Sequence, residues 1–180
     1  MGLVALAAGP AGAQTREGFF VGFGAGYGWA KVDCDECDLG ESEREASVTA
    51  HVRLGTTLTE RLSVGAELNG WFDSEDEDNV ALFNVTGAFY LYPADSGLFI
   101  KAGAGLSRAD FDLGGEELSG MGWGVMAGVG YDIPIGDTTA VTPVATFWYG
   151  KPGDLQFEDI PVLTGFKHNV FEIGVGVTFY

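Results

Sequence analysis

Between Gly18 and Tyr180 the chain repeats one pattern eight times: within each segment every second residue is apolar, and many of the residues between are small. In the first segment Phe19, Val21, Phe23, Ala25, Tyr27 and Trp29 share one parity, and Phe20, Gly22, Gly24, Gly26 and Gly28 share the other. A period of two puts the sets on opposite faces of a β-strand. Eight such segments follow one another. Ala46, Val48, Ala50, Val52 and Leu54 oppose Ser47, Thr49, His51, Arg53 and Gly55, and Leu62, Val64, Ala66, Leu68 and Phe72 oppose Ser63, Gly65, Glu67 and Asn69. Phe83 to Leu91, Leu98 to Ser107, Met121 to Asp132 and Phe171 to Phe179 continue the pattern. The seventh segment, about Ala140 to Lys151, sets Val141, Ala145, Phe147 and Tyr149 against a mixed face of Thr142, Val144, Thr146 and Trp148, with Pro143 interrupting, so its register stays open.

A soluble sandwich also alternates, but its second face meets water and should be rich in Lys, Glu, Thr and Ser. Here that face is rich in glycine, which suits the narrow inside of a small closed barrel better than a solvated sheet. Charge decides which face is which. On a lipid face Arg53 and Lys101 would cost about 2–4 kcal/mol each at mid-membrane, and Glu67 and Glu172 somewhat less. The four therefore point inward, and the fold expected is all-β, an eight-stranded antiparallel up-and-down transmembrane β-barrel. Short connections at Leu58 to Glu60, Pro93 to Gly97 and Pro134 to Thr138 alternate with longer, charged ones at Val32 to Arg44, Asp73 to Asn79, Asp110 to Leu118 and Pro152 to Phe166. Short turns belong to the periplasm and long loops to the outside, which makes both chain ends periplasmic. Trp29, Phe72, Phe83, Trp123, Tyr149 and Phe171 near the loop ends, and Phe19, Phe89, Tyr131 and Phe179 nearer the turn ends, form the two expected aromatic girdles.

Composition narrows the class further. Nine Lys and Arg against 26 Asp and Glu give a formal charge of -17, which argues against nucleic acid as a partner. No run of 18 apolar residues provides a membrane-spanning helix. At the N-terminus Gly2 to Ala8 is apolar and Ala11-Gly12-Ala13 has the small-x-small form of a cleavage site, so residues 1–13 read as a signal-peptide remnant and 14–180 as the barrel domain. Outside the cytoplasm Cys34 and Cys37 meet oxidising conditions, and a loop-closing disulfide is expected. Their x-x spacing imitates a redox motif without its strand-to-helix setting. Zinc would need two more ligands, and His51 falls well inside the barrel.

The eight alternating strands, the signal remnant and the ending Val170-Phe-Glu-Ile-Gly-Val-Gly-Val-Thr-Phe-Tyr180 resemble the small outer-membrane β-barrel family that includes the OmpA transmembrane domain and the OmpX-like proteins. The resemblance implies insertion by the barrel assembly machinery, contact with outer-membrane lipid and lipopolysaccharide, a location in the cell outer membrane, and a monomer. It also implies an interior plugged by a charge cluster, here Arg53, Glu67, Lys101 and Glu172. The chain departs from the family in its ending, because alternation gives the lipid face to Phe179 and turns Tyr180 inward.

Nineteen of the 26 acids fall in or beside the four long loops, against Lys31, Arg44, Arg108, Lys151 and Lys167. Carboxylates ligate Ca²⁺ and Mg²⁺, and Asp33, Asp35, Glu36, Asp38, Asp76 and Asp78 are the candidate metal ligands of this acidic rim. None has EF-hand spacing. Gly122-x-Gly124-x-x-Ala127 mimics a dinucleotide fingerprint with no helix after it, and Asn84-Val85-Thr86 is a glycosylation triplet in mid-strand. His51 and His168 have no Ser at close spacing of the kind lipid A-modifying barrels use. The function expected is therefore structural or surface-interacting, not enzymatic; the alternatives are a narrow porin-like channel and, third, a lipid A-modifying enzyme.

Overall fold

The computed structural model describes residues 18–34, 44–75, 78–94, 96–113, 116–157 and 160–180. Every element among them is a strand: β1 (Phe19–Asp33), β2 (Glu45–Thr59), β3 (Leu62–Glu75), β4 (Asp78–Leu91), β5 (Leu98–Leu113), β6 (Glu116–Tyr131), β7 (Ile133–Pro134), β8 (Thr139–Phe157) and β9 (Ile160–Phe179). Each pairs antiparallel with its neighbour, β1 pairs with β9, and β6 pairs with β8, so the sheet closes on itself. The two-residue β7 prolongs β6. Their common ladder with β8 runs to Gly130 opposite Val144 and resumes in the same register at Ile133 opposite Val141. Pro143 lies in the gap and has no amide hydrogen to give the ladder. The result is an eight-stranded antiparallel β-barrel, whose closed ladders satisfy the strand backbone internally, as a membrane span requires.

The alternation read from the sequence becomes an inside and an outside. Along β1, Phe19, Val21, Phe23, Ala25 and Tyr27 are exposed, whereas Phe20, Gly22 and Gly28 are buried. The seventh register resolves the same way: Thr142, Val144, Thr146 and Trp148 point inward and are buried, and Pro143 and Phe147 are exposed. Aromatic rings pack in pairs on the outside, with Trp29 on Phe171 at 6.1 Å, Phe72 on Phe83 at 5.4 Å and Trp123 on Tyr149 at 5.5 Å at the loop end. At the turn end Phe23 meets Phe179 at 6.1 Å.

Inside, large side chains face glycines. Phe99 stands opposite Gly130, where an added Cβ would lie 2.3 Å from its ring, and His51 stands opposite Gly24, where one would lie 2.5 Å from Nε2. Glycine is thus required by neighbours that fill the lumen, and the interior is more than a glycine lining with four ions. Phe20, Trp71, Tyr90, Tyr92, Phe99 and Trp148 are all buried in it.

Three of the four expected long loops are not loops. The strand ladders continue to Glu75 opposite Asp78, Leu113 opposite Glu116 and Phe157 opposite Ile160, leaving two residues between each pair of strands. Charge does not stop a strand whose sides meet water, so Asp73, Asp78, Asp110 and Asp112 sit on hairpins that extend the barrel wall. In Pro152 to Phe166 the ladder shifts register around Gly153, which has a φ of 87° that side chains seldom adopt. β8 accordingly runs well past Lys151, where the alternation suggested it would end.

Candidate functional site

The chemistry of this chain is concentrated in the lumen. All four ions placed inward on cost are buried: Arg53 at 4 %, Glu67 at 1 %, Lys101 at 3 % and Glu172 at 0 % exposure. They do not simply neutralise one another. Lys101 Nζ bonds Glu67 Oε1, but Arg53 pairs with Asp132 at 3.0 Å, and Glu172 Oε1 lies 2.8 Å from His51 Nδ1. Asp132 and His51 therefore complete the set. Both have inward parity in the sequence, but which strand faces which across a closed barrel depends on the stagger of the whole sheet.

At the turn end the network is dense. Arg53 Nη2 donates to Thr142 Oγ1 at 3.2 Å and to Thr178 Oγ1 at 2.5 Å, and its guanidinium lies 4.9 Å from the Phe99 ring centre. Asp132 accepts from Thr142 Oγ1 at 2.7 Å, Tyr92 Oη at 3.0 Å and Tyr180 Oη at 2.5 Å. Tyr180 does turn inward, and Phe179 stays exposed on the lipid side. One level further in, Tyr90 Oη donates to Glu67 Oε2 at 2.9 Å. Hydrogen bonds to charged groups contribute more than neutral ones, and a buried pair holds only when its remaining lone pairs are met.

Toward the loop end the lumen turns neutral. Asn69 Nδ2 reaches Met126 Sδ at 3.6 Å, Asn84 Nδ2 donates to the Tyr149 carbonyl at 3.0 Å, and Trp71 Nε1 donates to the Gly28 carbonyl at 3.1 Å. Above them Ser107 Oγ lies 2.9 Å from His168 Nε2. The two are 61 residues apart, and only β5 and β9 facing across the barrel bring them together. Among the described residues His168 Nδ1 has no hydrogen-bond partner, and both Ser107 and His168 are buried at 1 %.

The remaining candidates lie at the rim. Cys34 is buried and disulfide-bonded; Cys37 lies outside the described residues. So do Asp35, Glu36, Asp38 and Asp76. Of the other proposed metal ligands, Asp33 faces Lys167 at 3.7 Å and Asp78 pairs in the β3–β4 hairpin. Among the described residues no three His, Cys, Asp or Glu side chains gather as a metal site.

Comparison with known proteins agrees with this architecture. The family model described as "Outer membrane protein beta-barrel domain" matches residues 1–179. Among solved structures, the chain is similar to Neisserial surface protein A (NspA), with 17 % identity and a TM-score of 0.58 over 89 % of this chain and 96 % of that one. It is similar also to Ail, the attachment invasion locus protein of Yersinia pestis, with 18 % identity and a TM-score of 0.58 over 91 % and 99 %. At such identities the likeness is one of fold. No curated protein sequence matches.

Proposed function

The chain belongs to the outer membrane protein beta-barrel domain family, and from that premise we propose that it is a structural or surface-interacting barrel whose lumen is plugged by paired charges. The observation that carries this is the buried ion pairs Arg53–Asp132 and Lys101–Glu67, together with the buried contact of His51 Nδ1 with Glu172 Oε1. A solute crossing would have to pull these buried charges away from their partners. The purified, refolded barrel in a planar lipid bilayer should give no steady single-channel conductance. Steady openings in the wild-type protein would replace this reading with the porin-like one. It is not read as an enzyme, because the Ser107–His168 pair is buried and, among the described residues, no third member orients His168 Nδ1.

In this reading the turn end and both chain termini face the periplasm, and the acidic hairpins face outside. The outward surface fits outer-leaflet lipid in particular. Lys31 follows Trp29 by two residues on the same face of β1, Lys151 stands opposite Trp123, and Lys167 lies four residues from Phe171 on β9. Cations just beyond an aromatic girdle sit at headgroup height, where lipid phosphates are. Replacing Lys31, Lys151 and Lys167 together by Gln should remove most of the gain in thermal unfolding midpoint that lipopolysaccharide-containing vesicles give over zwitterionic ones. An unchanged gain would show that these lysines do not contact the phosphates.

A further inference from the structure

Beyond the aromatic girdle, the strands β3 to β6 carry a groove of about 610 Å³. Parity puts it on the outer wall. On β5 Arg108, Asp110 and Asp112 continue the outward row of the exposed Leu106, and all three acid or base side chains border the groove. Ala81 stands opposite Asp110, and its small side chain leaves room between bulkier neighbours. Phe72, exposed and packed on Phe83 in the girdle, forms the border toward the membrane.

The charges of this face do not balance. Asp112 stands directly opposite Glu117, and both line the groove together with Asp73 and Asp110. Like charges directly opposite on neighbouring strands destabilise a sheet. Among the described residues that line the groove Arg108 is the one cation, and it is already engaged: its Nε donates to the two Asp110 carboxylate oxygens at 2.9 and 2.8 Å. The groove is therefore acidic along its outer border and apolar along the border nearest the membrane.

We propose that this groove docks a basic, amphipathic peptide segment of a partner protein. Charge complementarity selects that occupant. Its Lys or Arg side chains lie between Asp112 and Glu117 and offset their repulsion, and its apolar side chains rest on Phe72. Because the groove sits just beyond the girdle, the segment runs along the membrane surface. An anionic partner is repelled by the same carboxylates. A metal ion fits less well, since among the described residues no three acids gather about one point. The inference rests on the surface-interacting reading and names the partner's chemistry. It does not require a closed lumen, so conductance and peptide binding can fail separately.

The probe is a fluorescently labelled heptapeptide alternating lysine with leucine, titrated by anisotropy against the refolded barrel in zwitterionic micelles, with empty micelles as the blank. Saturable binding above the blank is expected, and its absence overturns the proposal. Asp112→Asn with Glu117→Gln should weaken binding about five- to tenfold. Glu45→Gln with Glu60→Gln removes the same charge from exposed positions outside the groove and should weaken it by less than about twofold. Equal weakening by the two pairs would mean that net charge alone attracts the peptide, and it overturns the proposal. Stability gives a second measure. Glu117→Gln alone should raise the urea midpoint of the peptide-free barrel, because the opposed pair is relieved, and should shrink the rise that the peptide gives. A lowered midpoint would show that this carboxylate serves the fold, and a calcium ion raising the midpoint as far as the peptide does would make the groove a metal site. Either result overturns the proposal.

Discussion

Glu67→Ala should lower the unfolding free energy of the refolded barrel by about 3–5 kcal/mol, read by urea titration in lipid vesicles with tryptophan fluorescence. The magnitude comes from what is left behind. Lys101 is 3 % exposed and its ammonium bonds Glu67, so removing the carboxylate leaves a buried charge with its counter-ion gone. Tyr90 loses the acceptor of its hydroxyl at 2.9 Å as well. Glu67→Gln combined with Lys101→Met should recover most of the loss, because neither charge is then stranded. A single-variant loss below about 1 kcal/mol, typical of a solvated pair, would mean that water reaches this level of the lumen and that the plug is not closed.

The second large effect is steric. Gly65 faces inward opposite Gly55, and a Cβ there would lie 2.0 Å from the Leu54 carbonyl oxygen and 2.7 Å from the Gly55 Cα. Both are backbone atoms of the paired strand and cannot turn aside as a side chain could. Gly65→Val should cost at least about 1–3 kcal/mol and strongly reduce the heat-modifiable folded band on an SDS gel. Gly87→Val is the matched control. It lies on the outer face, its nearest obstacle is the Ala104 carbonyl oxygen at 3.9 Å, and a β-branched residue suits a lipid-facing strand. Equal damage at the two positions would show that loss of glycine itself, and not crowding inside, is responsible.

The architecture was legible because a membrane barrel makes parity absolute: one residue's slip would put Arg53 or Lys101 into lipid. Partners were not legible. Arg53 and Asp132 lie 79 residues apart, and only the stagger of the closed sheet brings them together. The mixed face of Thr142, Val144, Thr146 and Trp148 could not be oriented from its own composition, since Val and Trp suit lipid as well as a packed lumen. It took β6 and β9 on either side to orient it. The hairpins were misread as loops for another reason. Acidic residues such as Asp110 and Asp112 look like loop composition, yet a paired strand standing clear of the bilayer tolerates charge on its sides.

The fit of bulk against glycine inside the barrel also bears on how such an interior can change over generations. Phe99 and Gly130 act as one character divided between two codons: enlarging Gly130 first meets the ring, and shrinking Phe99 first opens a void beside Tyr90 and Tyr92. Drift in this lumen should therefore proceed by coupled exchanges between adjacent staves, while the lipid-facing side, which asks only for grease, is free to vary one position at a time.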